Sequence, residues 1–391
     1  MKFKLSAKDF KNIIERVAVV AAKKSALPIL ESVQIIADKK NDVVMFRATN
    51  IEAYATITAN SQIVEVIEDG TAIVEINSIK KLYTVSGDVT FERNDTRFSA
   101  SNGKKKNEIA CYPESQNKFM PEFPNNPPRE SAIMTVPDKA DFIKVLENLA
   151  PCLSMIPSKP IYTGYNLNSG KYGIVAIDGY HALSFFNPWC EKGRTFDFTI
   201  PGYTYKMLKK ISNVKTETNS LEVYYENGGR NVFYVGYDYV LATRIIEGDF
   251  CDFARIVENS DSFKHLLKVD STELCAIAKE YGAVSKDKTL IHCIELNGKL
   301  ATTTRTFDFR TADCMDILGG NLPEGFHILL DAKYLYDVMK TFDGADVSIE
   351  CGTEITPWKI YNDNYVGLVV PVRMEGDVKD DAESYVKNAF A

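Results

Sequence analysis

The sequence predicts an α+β fold of three tandem units, each with two helices packed on antiparallel sheet. At 391 residues the chain is too long for one ordinary core, and about 100–200 residues per domain gives roughly two to four domains. An acidic–apolar pair recurs at one interval: Asp9-Phe10, Asp141-Phe142 and Glu273-Leu274 stand 132 positions apart. Between them run alternating β-branched and aromatic stretches bounded by Gly, Asn and Asp, such as Val43-Val44-Met45-Phe46, Leu221-Glu222-Val223-Tyr224-Tyr225 and Val347-Ser348-Ile349-Glu350.

Each unit opens on a short strand that leads into a helix. Phe3-Lys4-Leu5 precedes a Ser6 cap and an apolar face of Phe10, Ile13, Ile14 and Val17. Met134-Thr135-Val136 precedes Phe142, Val145, Leu146 and Leu149, and Leu267-Lys268-Val269, capped by Asp270 or Ser271, precedes Leu274, Ile277 and Ala278. A second strand in each unit stops at a residue suited to start a helix: 72–76 before Asn77, 196–200 before Pro201, and 327–330 before Asp331. Apolar positions follow at helical spacing: Ile79 and Leu82, Met207 and Leu208, Leu335 and Val338. The helical windows are therefore 7–23, 77–84, 138–149, 202–211, 271–284 and 331–341. Residues 119–128 and 248–260 read as linkers, so the units are expected at 1–128, 129–256 and 257–375, followed by a mobile acidic tail over 376–391.

The hydrophobic fraction of 45% and charged fraction of 25% are those of a folded soluble protein, and no apolar run approaches the ~18 residues of a membrane span. Met1-Lys2-Phe3-Lys4-Leu5 leads into no apolar stretch with a small-residue cleavage site, which makes the cytoplasm the expected location. Eight cysteines (111, 152, 190, 251, 275, 293, 314, 351) show no Cys-x-x-Cys pair or zinc spacing and are expected to be reduced and mostly buried. The four histidines (181, 265, 292, 327) form no His-x-x-x-His pattern, so neither a metal site nor a cofactor is expected. No phosphate-binding Gly-x-x-x-x-Gly-Lys loop, Gly-x-Ser-x-Gly elbow or His-Glu-x-x-His occurs, and Asp178-Gly179 has no obvious partner base. Catalysis is not expected. The competing non-enzymatic reading is a multidomain adhesion or interaction protein of repeated α+β units.

Net charge is −7, which by itself argues against a nucleic-acid partner. Its distribution argues otherwise. The six helical windows sum to +5 and leave −12 for strands and loops, with positive charge densest at Lys23-Lys24, Lys80-Lys81 and Lys206 with Lys209-Lys210. Lysines on amphipathic helices are ordinarily just solvated faces. Tied to a repeat, they suggest a basic lining in an acidic exterior, which would draw a duplex in through its phosphates without reading bases.

Four segments resemble the β subunit of bacterial DNA polymerase III, the replicative sliding clamp: Leu27-Pro28-Ile29-Leu30, Ala176-Ile177-Asp178-Gly179-Tyr180-His181, Gly248-Asp249-Phe250-Cys251-Asp252-Phe253 and Val369-Val370-Pro371-Val372-Arg373-Met374. The resemblance runs in order from residue 1 to about 374. It implies three clamp domains per chain, a head-to-tail homodimeric ring with helices inside and sheet outside, and double-stranded DNA through the hole. Such a ring would tether the polymerase III catalytic subunit, the clamp loader and other proteins with clamp-binding motifs, in association with the nucleoid. Lys24 stands where the family places a DNA-contacting cation, and Lys159 holds a similar place in the loop before Gly164, which departs from the family in length and carries Pro157 and Pro160. Lys80, Lys81, Lys206, Lys209 and Lys210 are assigned to DNA from charge. The family's partner pocket falls on Ile177, Gly179, Tyr180, His181, Cys251, Ile256, Val370, Pro371, Val372 and Arg373, with Cys251 in place of a proline and His181-Ala182-Leu183 in place of an Arg-Leu pair. Ring closure implicates Ile109 and Val284, and Phe390 suggests a tail able to fold back into the pocket.

Overall fold

A helix starts where a side chain can satisfy its first free N–H groups, and these caps fix most of the helices seen in a computed structural model, which describes residues 1–123, 132–214, 218–225, 228–259, 263–285 and 288–390. Helix α1 (Ala7–Val17) is capped by Ser6, whose hydroxyl accepts from Asp9 N, and it buries Phe10, Ile13, Ile14 and Val17. It stops at Val17, short of residue 23: the following residues turn through Val19 N to Arg16 O and Val20 N to Val17 O, and Ala22 N donates to Leu30 O. Helix α2 (Ile76–Ile79) runs on as a 3-10 turn (Lys80–Thr84) and starts ahead of Asn77, with no side-chain cap. Helices α3 (Lys139–Leu149) and α4 (Thr204–Ile211) follow; Pro201 ends a strand instead of starting α4.

Two expectations are corrected between and after the repeats. The stretch 248–260 is not a bare linker: Asp252 caps a helix α5 (Phe253–Val257) that buries Phe253 and Val257, while Ser260 lies outside the described residues. Of the first linker, Phe123 packs edge-on against Tyr54 with Arg47 over its ring, and 124–128, with the predicted boundary at 128, lie outside the described residues. Helices α6 (Ser271–Ala283) and α7 (Ala332–Met339) are capped by the carboxylates of Asp270 and Asp331.

The acidic tail is a packed helix α8 (Gly376–Ala389), not a mobile extension. Ala382 and Val386, one turn apart, are buried against Ile294 and Ala301 of the sheet. Asp381 pairs with Arg305 and Arg310, Arg310 lies 3.9 Å from the Tyr385 ring, and Glu383 meets His327, so acidic residues face basic partners. The last turn ends at Phe390, with Ala391 outside the described residues.

The chain forms two compact units. The first comprises residues 1–144, 189–194 and 203–245. Its eight-stranded antiparallel sheet is continuous because Ala53–Ala59 pairs with Tyr239–Arg244, joining strands of the first repeat to strands of the second. Phe3, Phe10 and Phe91 stack where α1 meets the accompanying five-stranded sheet, each fully buried and worth about 2–3 kcal/mol over exposure. Arg16, 3% exposed, donates two 2.7 Å bonds to the Asp238 carboxylate and one to Ile211 O, which locks α1 to the end of α4.

The second unit comprises 145–188, 195–202 and 246–391. Its nine-stranded sheet is joined in the same way, by His181–Phe185 against Tyr365–Val369. Gly367 is required there: a Cβ would stand 2.3 Å from Val338 of α7, so only glycine lets α7 lie this close to the joint. The other sheet of this unit runs Arg310–Asp316, Lys299–Arg305, Leu290–Leu296, His327–Asp331, and carries α8 on one face.

Two outcomes follow from this packing. Asp238→Ala leaves the Arg16 guanidinium buried without its counter-ion and is expected to cost about 3–5 kcal/mol in urea unfolding. Val386→Asp puts a charge where α8 is sealed, and is expected to make trypsin cleave at Lys379 and Lys387 at least about tenfold faster while the rest of the chain stays resistant.

Candidate functional site

The candidate residues fall into two sets, one in the first unit but for Lys159 and the other in the second, and most of the cationic set lies on or just after helices. Lys24, Lys80, Lys81, Lys206, Lys209 and Lys210 all sit exposed in the first unit. Lys80 and Lys210 come together, with Lys23 and Tyr83, around one cleft of about 520 Å³, although they belong to different repeats. Lys80 reaches Asn77 Oδ1 at 3.4 Å, and Lys206 lies 5.6 Å from the Tyr205 ring. Among the described residues Lys24, Lys80, Lys81, Lys206 and Lys210 have no ion-pair partner, so their charge stays available. Lys159 is exposed in the second unit, just before the 3-10 turn Pro160–Thr163.

The apolar set lies within the second unit, built on its sheet joint. Strand Ile174–Ile177 turns into His181–Phe185 through Asp178-Gly179-Tyr180. Asp178 Oδ1 accepts from Tyr180 N at 2.7 Å and from His181 N at 2.9 Å, and Gly179 takes φ +97°, which a side chain would resist. This turn leaves Tyr180 half exposed and drives His181 inside. His181 pairs with Val369 across the ladder, and Val370 N donates to Tyr180 O at 2.9 Å. Val372 N donates to Leu329 O at 2.7 Å, which fixes Pro371 and Val372 half-buried beside the joint and leaves Arg373 exposed.

Tyr334 of α7, absent from the expected set, stacks on both turn residues, 4.4 Å from the His181 ring and 5.8 Å from Tyr180. It is the third residue after the Asp331 cap and lies off the buried face of Leu335, Val338 and Met339; an aromatic at that offset was the available signal. His181 Nδ1 lies 3.1 Å from Asp178 Oδ1 but outside good hydrogen-bond geometry. Burial pushes the Asp178 carboxyl up, and the His181 side chain with the two backbone N–H groups outweighs it, leaving the carboxyl below its ordinary value.

The opposite side comes from α5 and its approach. Ile177 and Phe250 pack on a cluster containing Phe253, Val257, Ala182 and Leu368, while Ile256 keeps 40% exposure. Tyr162, also not foreseen, meets Phe250 edge-on at 5.4 Å and neighbours Cys251. Burial pushes the Cys251 thiol up, so it stays protonated near neutral pH and is an apolar wall rather than a nucleophile.

The two closure residues are placed differently from each other. Ile109 is buried in its own unit opposite Phe98, and Val284 is half-buried at the end of α6. The tail does not enter the pocket: α8 sits on the sheet of Leu290–Leu296 and Lys299–Arg305, and Phe390 is 38% exposed.

No family model matches the chain. The beta sliding clamp of Chlamydia muridarum (strain MoPn / Nigg) is 19% identical over 393 residues, covering 96% of this chain and 100% of that one. The DNA polymerase sliding clamp of Bacillus subtilis superposes with a TM-score of 0.84 at 16% identity, over 96% of this chain and all of its own. A sliding clamp (DNA polymerase III subunit beta) from Bartonella birtlesii, bound to griselimycin, superposes with a TM-score of 0.78 at 16% identity and the same coverage. The resemblance drawn from four short segments thus extends to the architecture, and the chain has the fold of the bacterial DNA polymerase III β subunits, the sliding clamps, along nearly its whole length.

Proposed function

We propose that this chain is a replication processivity factor: two copies close head to tail into a ring around duplex DNA, do no chemistry, and hold a polymerase, its loader and other partners by short peptides. The pattern of sheet edges carries this reading. Ala53–Ala59 pairs with Tyr239–Arg244, and its counterpart one repeat later, His181–Phe185, pairs with Tyr365–Val369. The next members of these two series are Arg310–Asp316 and Lys106–Ala110, and both are sheet edges with one free side among the described residues. A second copy supplies what each lacks, and repeating one antiparallel joint from copy to copy closes a cycle. Ile109 and Val284 would then flank that contact from beneath.

On this reading the domains run 1–128, 129–256 and 257–375, with α8 added after the third. Lys24, Lys80, Lys81, Lys159, Lys206, Lys209 and Lys210 face the phosphates, and the lack of ion-pair partners at Lys24, Lys80, Lys81, Lys206 and Lys210 among the described residues favours loose, sequence-blind contact. Ile177, Gly179, Tyr180, His181, Cys251, Ile256, Val370, Pro371, Val372 and Arg373, with Tyr334 and Tyr162, form the partner pocket, where an extended peptide can bury one or two large side chains. The setting is cytoplasmic, at the nucleoid.

After loading on nicked circular plasmid the protein should stay with the DNA through gel filtration and leave within minutes of linearisation; equal loss from both forms would defeat the ring. Griselimycin, bound by the Bartonella birtlesii clamp, should bind saturably, and Tyr334→Ala should weaken it at least about tenfold without lowering the melting temperature by more than about 3 °C. Failure of the wild-type chain to bind it would remove the pocket from this proposal.

A further inference from the structure

We propose that a second cleft beside the partner pocket receives the guanidinium of an arginine from the same bound peptide, an inference that rests on the pocket reading above. The cleft holds about 460 Å³, and Phe250 and Cys251 line it as well as edging the proposed pocket, so the two adjoin. Its walls include Tyr172 and Phe253, whose rings meet edge-on at 5.5 Å.

Two carboxylates rim this aromatic lining, and the fold holds both still. Asp197 Oδ1 accepts from Asn166 Nδ2 at 2.7 Å, and Asn166, only 4% exposed, is fixed in turn by Asn168 at 2.9 Å. Asp252 Oδ1 caps α5 by accepting from Arg255 N at 3.0 Å. Each carboxylate thus commits one oxygen to the fold, and among the described residues neither has a counter-ion. The cation at the cleft, Lys171, does not neutralise them: it pairs with Glu258 at 3.2 Å. It also lies 5.3 Å from the Tyr172 ring, so this aromatic wall already accommodates a positive charge.

Pre-positioned carboxylates next to aromatic faces suit a planar, permanently charged group that hydrogen-bonds along its edge and stacks on its face, which is arginine rather than lysine. Continuity with the pocket makes the occupant a flanking residue of the partner peptide. The cleft would therefore set specificity, preferring partners whose apolar anchor has an arginine a few residues away.

The probes are fluorescein-labelled nonapeptides with a central Leu-Phe pair flanked by alanine, arginine being placed at each flanking position in turn with a citrulline counterpart. The alanine parent should bind, arginine at one position should tighten binding about tenfold, and citrulline there should return it to the parent value. Asp197→Asn and Asp252→Asn, which keep the fold's hydrogen bonds, should each remove most of that gain and leave the parent unchanged. If the parent binds and no arginine exceeds its citrulline, or if the gain survives both substitutions, the cleft is overturned while the pocket stands. If the parent does not bind, the pocket reading falls and this inference with it.

Discussion

An open edge of a sheet is a row of unpaired N–H and C=O groups, and how this chain closes its edges governs everything else about it. Each repeat presents two edges that a neighbouring repeat can extend. Within the chain two such joints are made, 53–59 with 239–244 and 181–185 with 365–369, both antiparallel and both fully registered. Among the described residues Lys106–Ala110 and Arg310–Asp316 remain as sheet edges, one in each unit. On the proposed reading a second copy pairs with them, and symmetry of the joint, rather than any single contact, favours it.

The two joints share a backbone plan and differ in what decorates them. The first is braced by a buried ion pair, Arg16 with Asp238, in the unit that carries the lysine-lined cleft. The second is braced by apolar fit, with Gly367 admitting α7 and Tyr334 stacking over His181. Ladder hydrogen bonds hold position in both. Side chains at the joint are therefore free to specialise, and the proposed function assigns one set to phosphate and the other to peptide.

The sequence made the repeat legible because caps and apolar periodicity are local: Ser6, Asp270 and Asp331 each start the helix expected of them. What it hid was set by tertiary contact. The acidic tail reads as solvated until the cations Arg305 and Arg310 and the buried His327 ring are seen beneath it, and those partners come from strands some 50–80 positions earlier. Helix α5 is five residues long, below what periodicity can detect, and depends on the Asp252 cap and two buried side chains. Tyr162 was invisible for a further reason, since ring stacking pairs residues that share no sequence pattern, and for Tyr334 its offset from the Asp331 cap was the one local signal. Three of the family-like segments lie on the backbone around the sheet joint, whereas the Tyr334 and Tyr162 contacts there required the packing.

The acidic net charge and a DNA partner are compatible because of where counter-ions sit. Five strand lysines are paired, Lys2 with Glu92, Lys4 with Glu65, Lys106 with Glu108, Lys299 with Asp316 and Lys359 with Glu350. At Lys80 and Lys81 after α2 and at Lys206 and Lys210 of α4 no ion pair forms among the described residues, and a surface pair neutralised locally contributes little field beyond a Debye length of about 8 Å. The unpaired lysines therefore dominate the potential that a phosphate at close range would meet, while a distant polyanion meets the net charge of −7. Weak attraction inside and repulsion outside is the condition for a ring that must stay on DNA without stopping on it, since tight phosphate contacts would hold it at one place.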